Sequence, residues 1–223
     1  MKTLHFGSPN KYLPMLYSSI TLILLFLSSP VSAWTVTVLD QNGQPAENAV
    51  VHISGKGIVS SSTDVAVMDQ VSRQYSPHVL AIHKNQKVSF PNSDNVRHHV
   101  YSFSKTKPFE MKLYAGTPNI PITFENEGVV VLGCNIHDSM LGYIVIYGDG
   151  KFGVVDDAGK IVFSEPQKNV TSLNIWHPKL VDKTKTHYSG HLSGQDNITV
   201  TINITHPPTT KPSKKNKFGR FYK

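Results

Sequence analysis

Turn-forming residues interrupt this chain at almost every apolar run, and that punctuation leaves room for little but short strands. Pro91-Asn92, Gly116-Thr117-Pro118 and Asn126-Glu127-Gly128 stand between the runs at 87–90, 99–103, 122–125, 129–132 and 141–147. Glycine and proline open turns and end helices, each for its own backbone reason. No long stretch carries a helical apolar period, so helical arrays and coiled coils are excluded. Short strands separated by turn signals predict an all-β protein, built as a sandwich or a Greek-key barrel.

The same reading extends to both flanks. Residues 34–39 alternate large and polar side chains, Asp40-Gln41-Asn42-Gly43-Gln44-Pro45 forms a turn, and 49–53 resume a strand, which predicts a β-hairpin. A Gly and Ser run at 54–64 suits a linker. After Gly148-Asp149-Gly150, the runs at 152–155, 161–163, 170–176 and 198–204 predict further antiparallel sheet.

The first 33 residues carry Lys2 and Lys11, no acid, an apolar core at 20–27, and then Ser28-Ser29-Pro30-Val31-Ser32-Ala33. That is the pattern of a secretory signal peptide, cleaved after Ala33 to leave Trp34 as the mature N-terminus. The remainder is then expected outside the cytoplasm. The formal net charge of +7 comes largely from the two ends. Residues 207–223, PPTTKPSKKNKFGRFYK, form a basic arm with no acid and the composition of a disordered tail. Contact of this tail with an anionic membrane or an acidic partner is the sharper reading and a solvated tail the plainer one. Residues 34–206 are nearly balanced in charge, so the basic total does not argue for nucleic acid, and no basic and aromatic surface motif supports it.

The informative stretch is Val129-Val130-Val131-Leu132-Gly133-Cys134-Asn135-Ile136-His137-Asp138-Ser139-Met140-Leu141-Gly142-Tyr143-Ile144. One strand delivers the only cysteine of the chain, a short loop places His137 and Met140 behind it, and a second strand leaves. Thiolate, imidazole and thioether on one tight loop form a soft donor set that suits copper cycling between Cu(I) and Cu(II), although Cys and His also suit zinc. A second imidazole is available upstream in Phe90-Pro91-Asn92-Ser93-Asp94-Asn95-Val96-Arg97-His98-His99-Val100. Adjacent side chains on a strand face opposite ways, so one of His98 and His99 can ligate easily and the other cannot.

At these residues the chain resembles the cupredoxins, the blue copper proteins of the plastocyanin, amicyanin and pseudoazurin type. In that family an asparagine precedes the first histidine ligand by the interval that separates Asn92 from His98, which selects His98 over His99. Cys134, His137, Met140 and Gly142 follow the family's last three ligands and the glycine ahead of its last strand, with the short loop of amicyanin. The resemblance therefore implies one copper ion held by His98, Cys134, His137 and Met140, with Met140 as the weak axial ligand. Two positions depart from the family: Ile136 replaces the usual proline before the second histidine and brings an N–H, and His99 replaces the usual asparagine after the first. An N–H that reaches the Cys134 sulfur draws charge from the thiolate and raises the reduction potential.

More narrowly, the two ligand stretches are similar to a periplasmic group labelled methylamine utilization proteins. In that group the flanking strands resemble an Ig-like sandwich of the carboxypeptidase-regulatory or transthyretin-like kind. The expected organisation is a signal peptide at 1–33, first strands of the Ig-like sandwich at 34–60, a cupredoxin domain at 61–148, the rest of the sandwich at 149–206 and the tail at 207–223.

The function implied is a periplasmic one-electron carrier that works with redox partner proteins and is not itself an enzyme. The alternative is a copper delivery or sensing module, which needs the same donors. A hydrolase built on Cys134, His137 and Asp138 is disfavoured, because three neighbours on one short loop do not orient a nucleophile against its base. Ile136, Leu141 and Tyr143 either rim the site or belong to the core, and the sequence leaves both open. His52, His78, His83, His177, His187, His191 and His206 have no ligand-like spacing. The sequons at Asn169, Asn197 and Asn203 read as polar residues at strand edges.

Overall fold

A computed structural model describes residues 33–118, 120–181, 187–189, 192, 194 and 196–205. The export signal expected ahead of Ala33 and the tail expected from Pro207 lie outside the described residues, as do His191 and His206. In chain order the strands are β1 (Trp34–Asp40), β2 (Val50–Gly55), β3 (Ala66–Val67), β4 (Asp69–Val71), β5 (Gln74–Ser76), β6 (Val79–His83), β7 (Lys87–Ser89), β8 (His98–Ser102) and β9 (Phe109–Tyr114). They continue as β10 (Ile122–Thr123), β11 (Gly128–Cys134), β12 (Leu141–Tyr147), β13 (Lys151–Val154), β14 (Lys160–Phe163), β15 (Val170–Trp176), β16 (His187–Ser189) and β17 (Asn197–Ile202). A single 3-10 turn at Gln167–Asn169 is the one helical element among the described residues.

The outer parts of the chain make one sandwich. A three-stranded sheet, β14-β1-β17, shares a core with the four-stranded sheet β13-β2-β15-β16. Strand β1 alternates strictly and sends Trp34, Val36 and Val38 inward, where they meet Val51 and Ile53 of β2 and Leu173 and Ile175 of β15.

The expected hairpin between β1 and β2 does not form. β1 lies between β14 and β17, whereas β2 lies between β13 and β15 in the opposite sheet. The turn itself is as read: Gly43 has φ +75°, and the Asp40 carboxylate accepts the N–H groups of Asn42 and Gln44. The return strand stops at a single bridge, Leu39 to Pro45, closed by the Asp40 N–H to the Gln44 carbonyl and the Ala46 N–H to the Val38 carbonyl. Ala46 is then buried and the chain crosses to the other sheet. β17 also departs from the expected antiparallel pattern, running parallel to β1.

The middle of the chain makes the second sandwich. Its five-stranded sheet, β6-β12-β11-β8-β9, and its three-stranded sheet, β10-β7-β3, enclose Val88, Phe90, Phe124, Val130, Leu132 and Ile144. The fold is thus the all-β architecture, with a Greek-key type sandwich and a second sandwich, that the strand pattern and the resemblance implied. Strand β9 and the β4–β5 hairpin carry no clear signal in the sequence, being an edge strand with no buried residue and two strands of three residues each.

Strand β12 has almost no polar residue, and the reason is that both of its faces are covered. Ile144 and Ile146 enter the core of their own sandwich, while Val145 joins Val50 and Val79 in a third cluster. Tyr143, Tyr147, Val154 and Trp176 close around that cluster, with the Tyr143 and Trp176 rings 5.5 Å apart. Strand β2, buried on four successive positions, is its counterpart. Sheets buried on both faces read as continuous apolar runs rather than alternations.

Candidate metal centre

The site begins with period-2 alternation. On β11, Val130, Leu132 and Cys134 point inward, and on β8, His98, Val100 and Ser102 do the same. The antiparallel register sets Cys134 opposite Val100, so His98 is its diagonal neighbour on one face of the sheet. His99 therefore points outward, where its Nε2 meets Glu110 at 2.9 Å. After Cys134 the chain turns, and the Met140 N–H donates to the His137 carbonyl at 2.9 Å as β12 begins. That closure folds His137 back over the cysteine.

The result is a compact donor set. Cys134 Sγ lies 3.9 Å from His98 Nδ1 and 3.9 Å from His137 Nδ1. One ligand atom from each of the three residues falls within 4.8 Å of the others, and the two imidazole centroids are 5.0 Å apart. His98 and Cys134 are buried and His137 is half-buried. An ion bound at about 2.3 Å from sulfur and about 2.0 Å from nitrogen, with roughly trigonal angles, sets those donors about 3.8 Å apart. The two sulfur–nitrogen separations match that spacing. Met140 is buried in the same core cluster as Cys134.

Neighbouring groups hold the donors in place, and two of them carry no ligand-like signal in the sequence. Asp94 Oδ2 lies 2.7 Å from His98 Nε2, so the ring offers its other nitrogen, Nδ1, toward the sulfur. The carboxylate also accepts the N–H groups of Ser72 at 2.6 Å and Arg73 at 2.9 Å. Burial alone would raise the Asp94 carboxyl, but the hydrogen bonds from Arg73, His98 and Ser72 outweigh it and hold it below the usual carboxylate range. A carboxylate on the outer nitrogen of a ligating histidine fixes the tautomer and raises the basicity of the inner one.

Tyr75 is the second such group. It is buried beside the cysteine and donates its hydroxyl to the Gly133 carbonyl at 2.9 Å. Burial, with smaller contributions from Cys134, Tyr114 and Tyr101, pushes that hydroxyl far above the ordinary tyrosine range, so it remains a donor. Asn92, the asparagine of the family motif, is buried and spans the loop before His98, donating its amide to the carbonyls of Val96 at 2.9 Å and Tyr114 at 3.0 Å.

The three residues left open between rim and core divide. Ile136, next to His137, is 48% exposed, whereas Leu141, 42% exposed, opens β12 opposite Gly133 and so lies on the sheet face away from Cys134. Tyr143 turns away from the site and packs on Trp176.

No family model matches the chain, and no curated protein does. Among solved structures it is similar to a copper-containing nitrite reductase from Thermus scotoductus, at 24% identity over 50% of this chain and a TM-score of 0.36. The chain spans 28% of that reductase's length. It is also similar to a purple cupredoxin from Nitrosopumilus maritimus, at 23% identity over 37% of this chain and 99% of the other, with a TM-score of 0.33. A variant of amicyanin in its reduced Cu(I) form aligns at 16% identity over 44% of this chain and 98% of the other, with a TM-score of 0.34.

Proposed function

We propose that this chain is a type 1 copper protein that carries single electrons in the periplasm, with His98, Cys134 and His137 as the equatorial ligands and Met140 as the axial one. The observation that carries the reading is the pair of 3.9 Å separations from one buried thiol to two imidazole nitrogens. Copper bound there would supply a Cu(I)/Cu(II) one-electron couple.

The chain's own residues account for the rest. His98 and Cys134 are shut away from water, and antiparallel strands of one sheet fix the distance between them, so the donors stay put when charge changes. His137 is half-buried beside the exposed Ile136, and that apolar side chain suits brief contact with a redox partner protein. In the same reading residues 61–148 are the cupredoxin domain, set into an Ig-like sandwich made by 34–60 and 149–206. Export follows cleavage after Ala33.

The test is the visible spectrum of the purified protein during titration with Cu(II), beside Cys134→Ser. An intense thiolate-to-copper band that saturates at one equivalent and vanishes in the variant is the expected result. A colourless protein that binds Cu(I) or Zn(II) tightly would overturn the electron carrier and leave metal delivery in its place.

A further inference from the structure

The β4–β5 hairpin reaches both ligand-bearing segments. Its tip is the two-residue loop Ser72-Arg73 between the paired residues Val71 and Gln74. Both tip residues have positive φ, +54° and +59°, although neither is glycine or asparagine, the residues such hairpin loops favour. This conformation turns both backbone N–H groups onto Asp94, one to each carboxylate oxygen, and Asp94 in turn meets His98 Nε2. At the base of the hairpin, the Asp69 carboxylate accepts the Ser93 hydroxyl at 2.7 Å, one residue before Asp94. On the other side, Tyr75 of β5 holds the Gly133 carbonyl next to Cys134.

We infer that the β4–β5 hairpin is a positioning element of the metal centre, its Ser72-Arg73 tip holding His98 through Asp94 so that Nδ1 faces Cys134. The inference rests on the copper-site reading. The left-handed tip is the form that aims two donors at one carboxylate, and two neutral N–H groups satisfy the oxygens without competing with the imidazole by charge. The side chains of Ser72 and Arg73 are exposed, so the tip works through its backbone. An open polar depression of about 360 Å³, lined by Ser72, Arg73, Asp94, Asn95 and Val96, adjoins the tip. Water therefore reaches Asp94 and the His98 Nε2–H as soon as the tip moves.

The experiment compares Arg73→Gly with Arg73→Val. Both remove the guanidinium; glycine accepts positive φ readily, whereas a β-branched residue resists it. One readout needs no metal: the nitrogen-correlated proton signal of His98 Nε2–H in the metal-free full chain. The second is Cu(I) affinity by competition with a chelator, and Asp94→Ala serves as the reference for a lost carboxylate. The signal is expected to persist in Arg73→Gly and to be lost by exchange with water in Arg73→Val and Asp94→Ala. Affinity is expected to fall about 10–100-fold in Asp94→Ala and several-fold in Arg73→Val relative to Arg73→Gly. Equal behaviour of the glycine and valine variants in both readouts would overturn the inference. Ser72→Gly against Ser72→Val repeats the comparison at the neighbouring N–H should Arg73→Val fail to fold. Absence of a thiolate-to-copper band in the parent would defeat the copper reading alone, because the metal-free signal still reports on the hairpin.

Discussion

The Tyr75 hydroxyl donates to the carbonyl of Gly133 at 2.9 Å, while the same ring lies where a side chain on Gly142 would stand. Gly133 directly precedes Cys134, and Gly142 follows Met140 by two residues, so one buried tyrosine touches both stems of the ligand loop. The loop is short, but its rigidity comes from a hairpin some sixty residues earlier in the chain, as the separation of 58 positions between Tyr75 and Gly133 records.

Tyr75→Phe keeps the ring and removes the donor. The loss is that of one buried hydrogen bond, about 1–2 kcal/mol. Urea unfolding of the metal-free protein should show a lower midpoint with an unchanged slope. An unchanged midpoint would mean that the hydroxyl contributes nothing to holding the loop stem.

The two stem glycines should respond unequally to alanine. A Cβ on Gly142 would stand 2.8–2.9 Å from Cβ, Cγ and Cδ2 of Tyr75, which is buried and anchored by its hydroxyl. A Cβ on Gly133 would stand 2.7 Å from the tip of the half-exposed Tyr101 ring, whose ring neighbours are His99 and the exposed Phe103. Overpacking costs about 1–3 kcal/mol. Gly142→Ala is expected toward the upper end and Gly133→Ala toward the lower, with the order read from thermal unfolding of the two metal-free variants. Equal losses would count against the anchoring of Tyr75.

The cluster of His98, Cys134 and His137 was legible because cysteine and histidine are rare enough for their spacing to carry meaning. The choice between His98 and His99 follows from strand alternation once the register of β8 against β11 is known, and register is set by contacts remote in sequence. Asp94 and Tyr75 were not legible. Their roles depend on where the β4–β5 hairpin lies, and two strands of three residues leave too few positions for a periodic signal. The failed hairpin between β1 and β2 has the same origin: the local turn was read correctly, but pairing partners were decided by β14, β17, β13 and β15. The apolar run of β12 goes with cover on both of its faces.

Acidification should destabilise the protein through His52. Its ring is buried, stacks on Tyr147 at 4.3 Å and bonds the Asp149 carbonyl through Nε2 at 2.9 Å. Burial lowers its pKa from 6.5, and the Asp149 carbonyl together with the charges of Asp149 and Glu127 opposes this in part. The folded state thus refuses a proton that the unfolded state takes up near pH 6.5. Stability is complete above that pH and falls below it until the folded pKa is passed, with a slope of at most about 1.4 kcal/mol per pH unit from this residue. His78 and His83 are lowered as well, so the parent must be compared with His52→Gln. Urea unfolding of both metal-free proteins at neutral and mildly acidic pH should show the smaller loss in the variant, and parallel losses would exclude His52 as a source.

Met140 is both a core residue and the proposed axial ligand, and two substitutions separate these roles. Leucine conserves the apolar volume, so Met140→Leu should cost less than about 1.5 kcal/mol. Alanine leaves a cavity among residues that are themselves buried, at a cost of about 2–5 kcal/mol. Coordination makes a different demand, because leucine has no lone pair. Removing a weak fourth donor leaves a three-ligand site, which disfavours the higher oxidation state, so the reduction potential should rise in Met140→Leu. Protein voltammetry beside thermal unfolding checks both. A raised potential with nearly unchanged stability assigns the thioether to the metal, whereas an unmoved potential assigns Met140 to packing alone and leaves His98, Cys134 and His137 as the whole donor set.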